Sequence, residues 1–268
     1  MSAVSTTFTT RQVAFRGGTV KVVEAGQGPT VGYLHGMVGL PAGELQPMLA
    51  ELAADHRVIA PCLPGFTGSP TRRACGSCPT GSSPCPSWSI CAASPAHRWW
   101  PPRSGRWSPS SWPVRPEAFS HLVLLAPMGL WDAEDPVADA FGTTMTEQRA
   151  LLTADPAATA RFWDDDPAVT DAAEKIELGV SRYLTRTSAA SLVWPIPEHG
   201  FAERAHLVRT PTSLVWGTAD RLVPPSYADR FGAVLPQVAG RYLVNEAGHL
   251  VDWDRPVEVA AIVRTALG

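Results

Sequence analysis

The sequence predicts an α/β protein built on a mostly parallel sheet, and three observations carry that expectation. Short apolar runs suited to buried strands alternate with segments of helical periodicity along most of the 268 residues. Three glycine-containing loops each follow one of those strands, where open α/β sheets assemble their sites. Between about Trp131 and Ala205 the composition turns to Asp, Ala and Thr with helical spacing, so a helical insertion divides one α/β unit.

The elements follow in order. Gln12–Phe15 and Val20–Glu24, split by Arg16-Gly17-Gly18, read as a hairpin, and Gly26, Gly28 and Pro29 turn the chain into a strand over Thr30–Leu34. Glu44–Asp55 places Leu45, Met48, Leu49 and Leu52 on one face and reads as a helix despite Pro47. Val58–Ala60 is the next strand, Pro61–Gly68 a loop, and Ser120–Ala126 an apolar run of the kind a strand buried on both faces requires. Val137–Leu152 and Asp171–Leu184 read as helices of the insertion, with Asp164-Asp165-Asp166 as a solvated cap or turn. Strand character returns at Thr212–Trp216 and Arg241–Val244, followed by helices over Pro225–Val234 and Pro256–Leu267.

A formal charge of -3 and a pI near 6.2 give no reason to expect nucleic acid or an anionic membrane surface as a partner. The Met1–Phe15 start has no basic segment followed by an apolar run, and no stretch approaches the ~18 apolar residues of a membrane span. The expected location is the cytoplasm, with no membrane association.

Three loop motifs carry chemistry. Leu34-His35-Gly36-Met37 follows the third strand. Trp216-Gly217-Thr218-Ala219-Asp220-Arg221-Leu222-Val223-Pro224 and Glu246-Ala247-Gly248-His249, the latter with Trp253 and Pro256 close behind, follow the last two strands. Together with APCLPGFTGS at Ala60–Ser69 and RPEAFSHLVLLAP at Arg115–Pro127, the five motifs resemble the α/β-hydrolase superfamily in order and spacing, over roughly Gln12–Pro70 and Val114 to Gly268. The resemblance implies an α/β-hydrolase core over residues 1–130 and 206–268 and a helical cap over 131–205. It implies hydrolysis of an ester, amide or activated carbon–carbon bond in a small molecule, with Asp220 as the orienting acid, His249 as the general base and the Met37 N–H as one oxyanion donor. Trp163 and Trp194 of the cap then become candidates to line an apolar acyl or aromatic pocket, against the plainer reading of cap packing. No metal or organic cofactor is implied, and the oligomeric state is not legible.

Each residue also has a plainer reading. Asp220 can cap the helix that starts near Pro224 or hold the Arg221 turn, and His249 can be a structural loop residue. His35 reads as a turn-stabilising residue rather than an acid or base, and Cys62 as a small buried one.

Residues 71–113 break the pattern. These 43 residues contain no Asp, Glu, Leu or Val, yet hold four of the five cysteines and five of the ten tryptophans. Cys75, Cys78, Cys85 and Cys91 are spaced C-x2-C-x6-C-x5-C, of which only the first pair has zinc-ligand spacing, so no metal site is expected. This is where the resemblance calls for a helix, the central strand, the nucleophile elbow and the helix behind it, and no G-x-S-x-G occurs anywhere in the chain. Gly179-Val180-Ser181 lacks the second glycine, and Ser104, Ser108, Ser110 and Ser111 have no elbow context, so the nucleophile is unknown.

Codon rules offer a physical origin for the break. If each intended codon is the last base of one written codon plus the first two of the next, Trp99-Trp100-Pro101 forces Val then Ala, and Trp112-Pro113 forces Ala. Permitted bases then let the run from His97 read PVVATSFGAVVALELA, a buried strand, a T-S-F-G elbow and an Ala/Leu-rich helix leading into Val114. Upstream the same frame permits GLRELPDWLFALSELEHLRGL, an amphipathic helix. Over Pro102 the hidden codon is NCG or NAG, which allows Ser and excludes Asp and Cys. The expectation is a serine hydrolase whose elbow is out of frame in the written chain. The alternatives are a cofactor-free lyase or haloperoxidase-type enzyme on the same triad, and a catalytically dead hydrolase-fold binding protein or damaged gene product.

Overall fold

The computed structural model describes residues 8–15, 18–40, 47–63, 65–66, 69, 89–94, 119–157, 170–194, 196 and 200–268. Eight strands form one sheet: β1 Thr9–Phe15, β2 Gly18–Ala25, β3 Thr30–Leu34, β4 Arg57–Pro61, β5 Ser89–Ser94, β6 His121–Leu125, β7 Thr212–Gly217 and β8 Val238–Val244. Their spatial order is β1-β2-β4-β3-β5-β6-β7-β8. The pairings β3/β4, β6/β7 and β7/β8 are parallel and the other four antiparallel, which leaves six strands pointing one way and only β2 and β5 reversed. The β1/β2 hairpin, β3, β4, β6 and β7 agree with the sequence reading to within a few residues.

Period-two alternation sorts the strand side chains into two cores, one on each face. Leu34, Leu122, Leu124, Leu214 and Trp216 face one core with Tyr227 and Phe231 of α5 (Tyr227–Val234). Val31, Tyr33, Val123, Leu125 and Val215 face the other, covered by α1 (Pro47–Leu52) and α7 (Pro256–Leu267). α1 is described from Pro47 onward. The Glu44–Gln46 part of the expected helix lies outside the described residues. At the other end Arg264 donates to Asp55 and to the Glu51 carbonyl, tying α7 to the end of α1.

Between β6 and β7 lie α2 (Met145–Leu152), α3 (Ala172–Val193), α4 (Phe201–Arg204) and a short 3-10 turn at Ala205–Leu207. The helix expected from Val137 begins only at Met145. Asp139 Oδ1 accepts from the Phe141 and Gly142 N–H groups and folds an Asx turn, and Thr144 with Glu147 forms a capping box that fixes the start. α3 begins after its N-cap Asp171, as the sequence indicates, but runs on to Val193. Its Ile176 and Tyr183 face outward, 68% and 71% exposed, while Ala189 nearer its end joins the core. The Asp164–Asp166 run lies outside the described residues. Among the described residues no helix is long and apolar enough to cross a membrane.

Within residues 71–113 the described residues 89–94 form a strand. β5 fills the slot between β3 and β6, built on Ile90-Cys91-Ala92-Ala93, the longest apolar run of that stretch. It runs antiparallel to both neighbours, with Ser89 opposite Leu125 and Ile90 opposite Leu34. Its amino end therefore lies at the edge where β3 and β6 finish. At that edge β5 begins rather than ends.

Candidate active site

β3, β6, β7 and β8 point the same way, so the loops that follow them converge on one edge of the sheet. The β7 and β8 loops are stitched together: the Thr218 N–H donates to the Val244 carbonyl and the Ala219 N–H to the Ala247 carbonyl, both at 2.9 Å. Gly217 makes the crossing possible, because a Cβ there would stand 2.2 Å from the Ala247 oxygen and 2.3 Å from the Gly248 oxygen. Glu246 turns the β8 loop with φ 53, in the left-handed region.

This crossing brings Asp220 and His249 together across 29 residues of sequence. Asp220 Oδ2 is 3.0 Å from His249 Nδ1, and the two side chains are 0% and 5% exposed. Asp220 Oδ1 accepts from the Leu222 and Val223 N–H groups, each at 2.9 Å. The plain and the catalytic readings of Asp220 are thus compatible: one oxygen caps the turn, and that anchoring aims the other at the imidazole. A carboxylate can only accept, so Nδ1 carries the proton of the neutral ring and Nε2 keeps its lone pair.

His35 stands in the same group of loops with different chemistry. Its Nε2 accepts from the Leu63 N–H at 2.9 Å, its Nδ1 hydrogen-bonds the Gly36 carbonyl at 2.9 Å, and Phe66 packs edge-on at 4.6 Å. Burial disfavours the cation and holds the ring at a pKa of about 4. It is a neutral clamp between the β3 and β4 loops, consistent with a turn-stabilising role. Met37 is buried in the turn that follows, where the Gly39 N–H donates to the Gly36 carbonyl at 3.2 Å. Among the described residues the Met37 N–H has no backbone acceptor. Cys62 is fully buried, and burial pushes its thiol up to about 11.

Of the two tryptophans, Trp163 lies outside the described residues. Trp194 is 58% exposed at the end of α3 and lines a hollow of about 460 Å³ with Asp139, Phe141, Gly142, Ala190 and Ser191. Gly179-Val180-Ser181 lies inside α3, which rules it out as an elbow. Ser104, Ser108, Ser110 and Ser111, together with Cys75, Cys78 and Cys85, lie outside the described residues.

The sequence reading does not single out Gly217 or Asp254. Asp254 Oδ2 accepts from the Gly248 N–H at 2.7 Å and from the Ala154 N–H at 2.8 Å. Asp254 is the last residue of α6 (Val251–Asp254).

No protein-family model and no curated protein sequence matches the chain. Solved structures do. A membrane phospholipase A described as a bacterial virulence factor superimposes with a TM-score of 0.63 at 15% identity, over 97% of this chain and 86% of that one. A serine hydrolase involved in carbazole degradation gives 0.61 at 19% identity, over 97% and 99%. A serine hydrolase from the polyaromatic-hydrocarbon-degrading bacterium Cycloclasticus zankles gives 0.62 at 14% identity, over 96% and 97%.

Proposed function

This chain has the α/β-hydrolase fold, and from that premise we propose that it derives from a serine hydrolase acting on an ester, amide or activated carbon–carbon bond of a small molecule. The observation that carries the reading is the buried Asp220–His249 pair, with one carboxylate oxygen fixed by two backbone N–H groups and the other on Nδ1. His249 Nε2 takes the proton of a serine hydroxyl as its oxygen attacks the carbonyl carbon, and Asp220 stabilises the imidazolium. The tetrahedral oxyanion is held by the Met37 N–H and the N–H after the nucleophile. Collapse of the intermediate expels the leaving group, which takes the proton from Nε2, and water repeats the sequence on the acyl-enzyme. Trp163 and Trp194 offer apolar surface to the acyl or aromatic part of the substrate. Structural neighbours include a thioesterase domain, a meta-cleavage product hydrolase and an esterase, consistent with chemistry at an acyl carbon.

The serine itself belongs to the alternative reading frame of residues 71–113. The direction of β5, opposite to β3 and β6, supports that view. The test compares hydrolysis of p-nitrophenyl esters by the written chain and by a chain carrying GLRELPDWLFALSELEHLRGL and PVVATSFGAVVALELA in their frame positions. The restored chain turns over, and His249→Ala or Asp220→Asn lowers its kcat by ~10⁴. Rapid hydrolysis by the written chain, abolished by His249→Ala, overturns the out-of-frame nucleophile. Turnover of the restored chain that is indifferent to both substitutions overturns the assignment of the pair.

A further inference from the structure

The loop that carries His249 is held from two sides by the helical segment inserted between β6 and β7. The Leu250 N–H donates to the Leu152 carbonyl at 2.8 Å, at the end of α2. Two residues on, the Ala154 N–H shares Asp254 Oδ2 with the Gly248 N–H, at 2.8 and 2.7 Å. Arg221, next to Asp220, donates to the Ala154 carbonyl at 3.2 Å. Gly248 is required for this approach, since a Cβ there would come within 2.8 Å of both the Ala154 nitrogen and the Thr153 carbonyl carbon. The stretch 152–154 thus touches the loops of both Asp220 and His249, and a single carboxylate oxygen joins it to the residue before His249. Burial raises the Asp254 carboxyl above the usual carboxylate range, against the pull of these two N–H donors.

We propose that Asp254 is a positioning residue: by joining the Gly248 and Ala154 N–H groups on one oxygen it fixes the His249 loop against the inserted helical segment and so holds the imidazole on Asp220. The proposal rests on reading His249 and Asp220 as the catalytic pair. The two hydrogen bonds converge on Asp254 Oδ2, one of them from the residue before His249, so their loss acts on ring position before it acts on the fold as a whole. Asn at 254 keeps a carbonyl acceptor of the same reach, whereas Ala removes it.

The test is the His249 Nδ1 proton, followed by nitrogen-15 histidine NMR in the full written chain and assigned by its disappearance in Asp220→Ala. In Asp254→Ala this proton exchanges with water about tenfold faster or more, the factor expected for one charge-assisted hydrogen bond lost from the loop. In Asp254→Asn it stays within about twofold of the unmodified chain, because the acceptor is retained. Arg264→Ala, which breaks the distant contacts to Asp55 and Glu51, is the control for general destabilisation and leaves the exchange unchanged. Unchanged exchange in Asp254→Ala, or equal acceleration in Arg264→Ala, overturns the proposal while leaving the pair intact. Should Asp254→Ala fail to fold, amide exchange in the unmodified chain decides. Gly248 and Ala154 are both protected if Asp254 holds them, and rapid exchange at either contradicts the proposal. Failure of the catalytic reading shows separately, in the ester assay.

Discussion

His35, Asp220 and His249 show how three similar polar residues acquire different tasks from their hydrogen bonds. Asp220 and His249 are matched acceptor and donor, while His35 spends both nitrogens on backbone groups. The consequence for His35 is a pH dependence of stability. The folded ring titrates near 4 and the unfolded one near 6.5, so below pH 6.5 the unfolded state takes up a proton that the folded state refuses. Stability attributable to this residue is full above pH 6.5, falls by about 2 kcal/mol by pH 5 and levels off below pH 4. Urea midpoints at pH 7.5 and pH 5 measure it, and in His35→Asn the loss over that interval shrinks by about the same amount. The motifs that name Asp220 and His249 were legible because strand-end loops carry their chemistry in short runs. Asp254 was not, because its role lies in a contact to Ala154, 100 residues away, that no local pattern announces.

Strands and helices were legible where local and long-range preferences agree. Thr30–Leu34 and Pro256–Leu267 appear with the expected bounds, since a β-branched apolar run and a proline-started amphipathic stretch each allow one structure. Val137–Thr144 has helical spacing but is taken by the Asp139 turn and the Thr144 capping box, a local competition that periodicity does not register. Two substitutions probe the elements that build the site. Gly217→Ala forces a Cβ into the Ala247 and Gly248 carbonyls and is expected to cost more than ~2 kcal/mol, read as a lower urea midpoint together with loss of the His249 Nδ1 proton signal. Leu49→Ala, in the fully buried packing between α1 and α7, is expected to cost ~2–5 kcal/mol without moving that signal. For β5, Cys91→Pro removes a ladder donor from the middle of a central strand and is expected to cost ~3 kcal/mol or more. A midpoint within error of the unmodified chain contradicts the β5 pairing.

Across the molecule, the same eight-strand order accommodates a written segment that opposes the direction of its neighbours. The fold was legible from the two flanks because each motif follows its own strand and needs nothing from residues 71–113. The centre was not, because those residues lack the aliphatic run that specifies a parallel strand, and the slot is filled instead by Ile90–Ala93 in reverse. On the proposed function, Asp220 and His249 serve a nucleophile that the alternative frame of residues 71–113 encodes. The most direct measurement is fluorophosphonate labelling of the frame-restored chain, located by peptide mass spectrometry. The expected result is one label per chain, on the serine encoded across written Pro102 and Arg103, with labelling strongly slowed by His249→Ala. A folded restored chain that takes no label, or takes it on a different serine, contradicts the account.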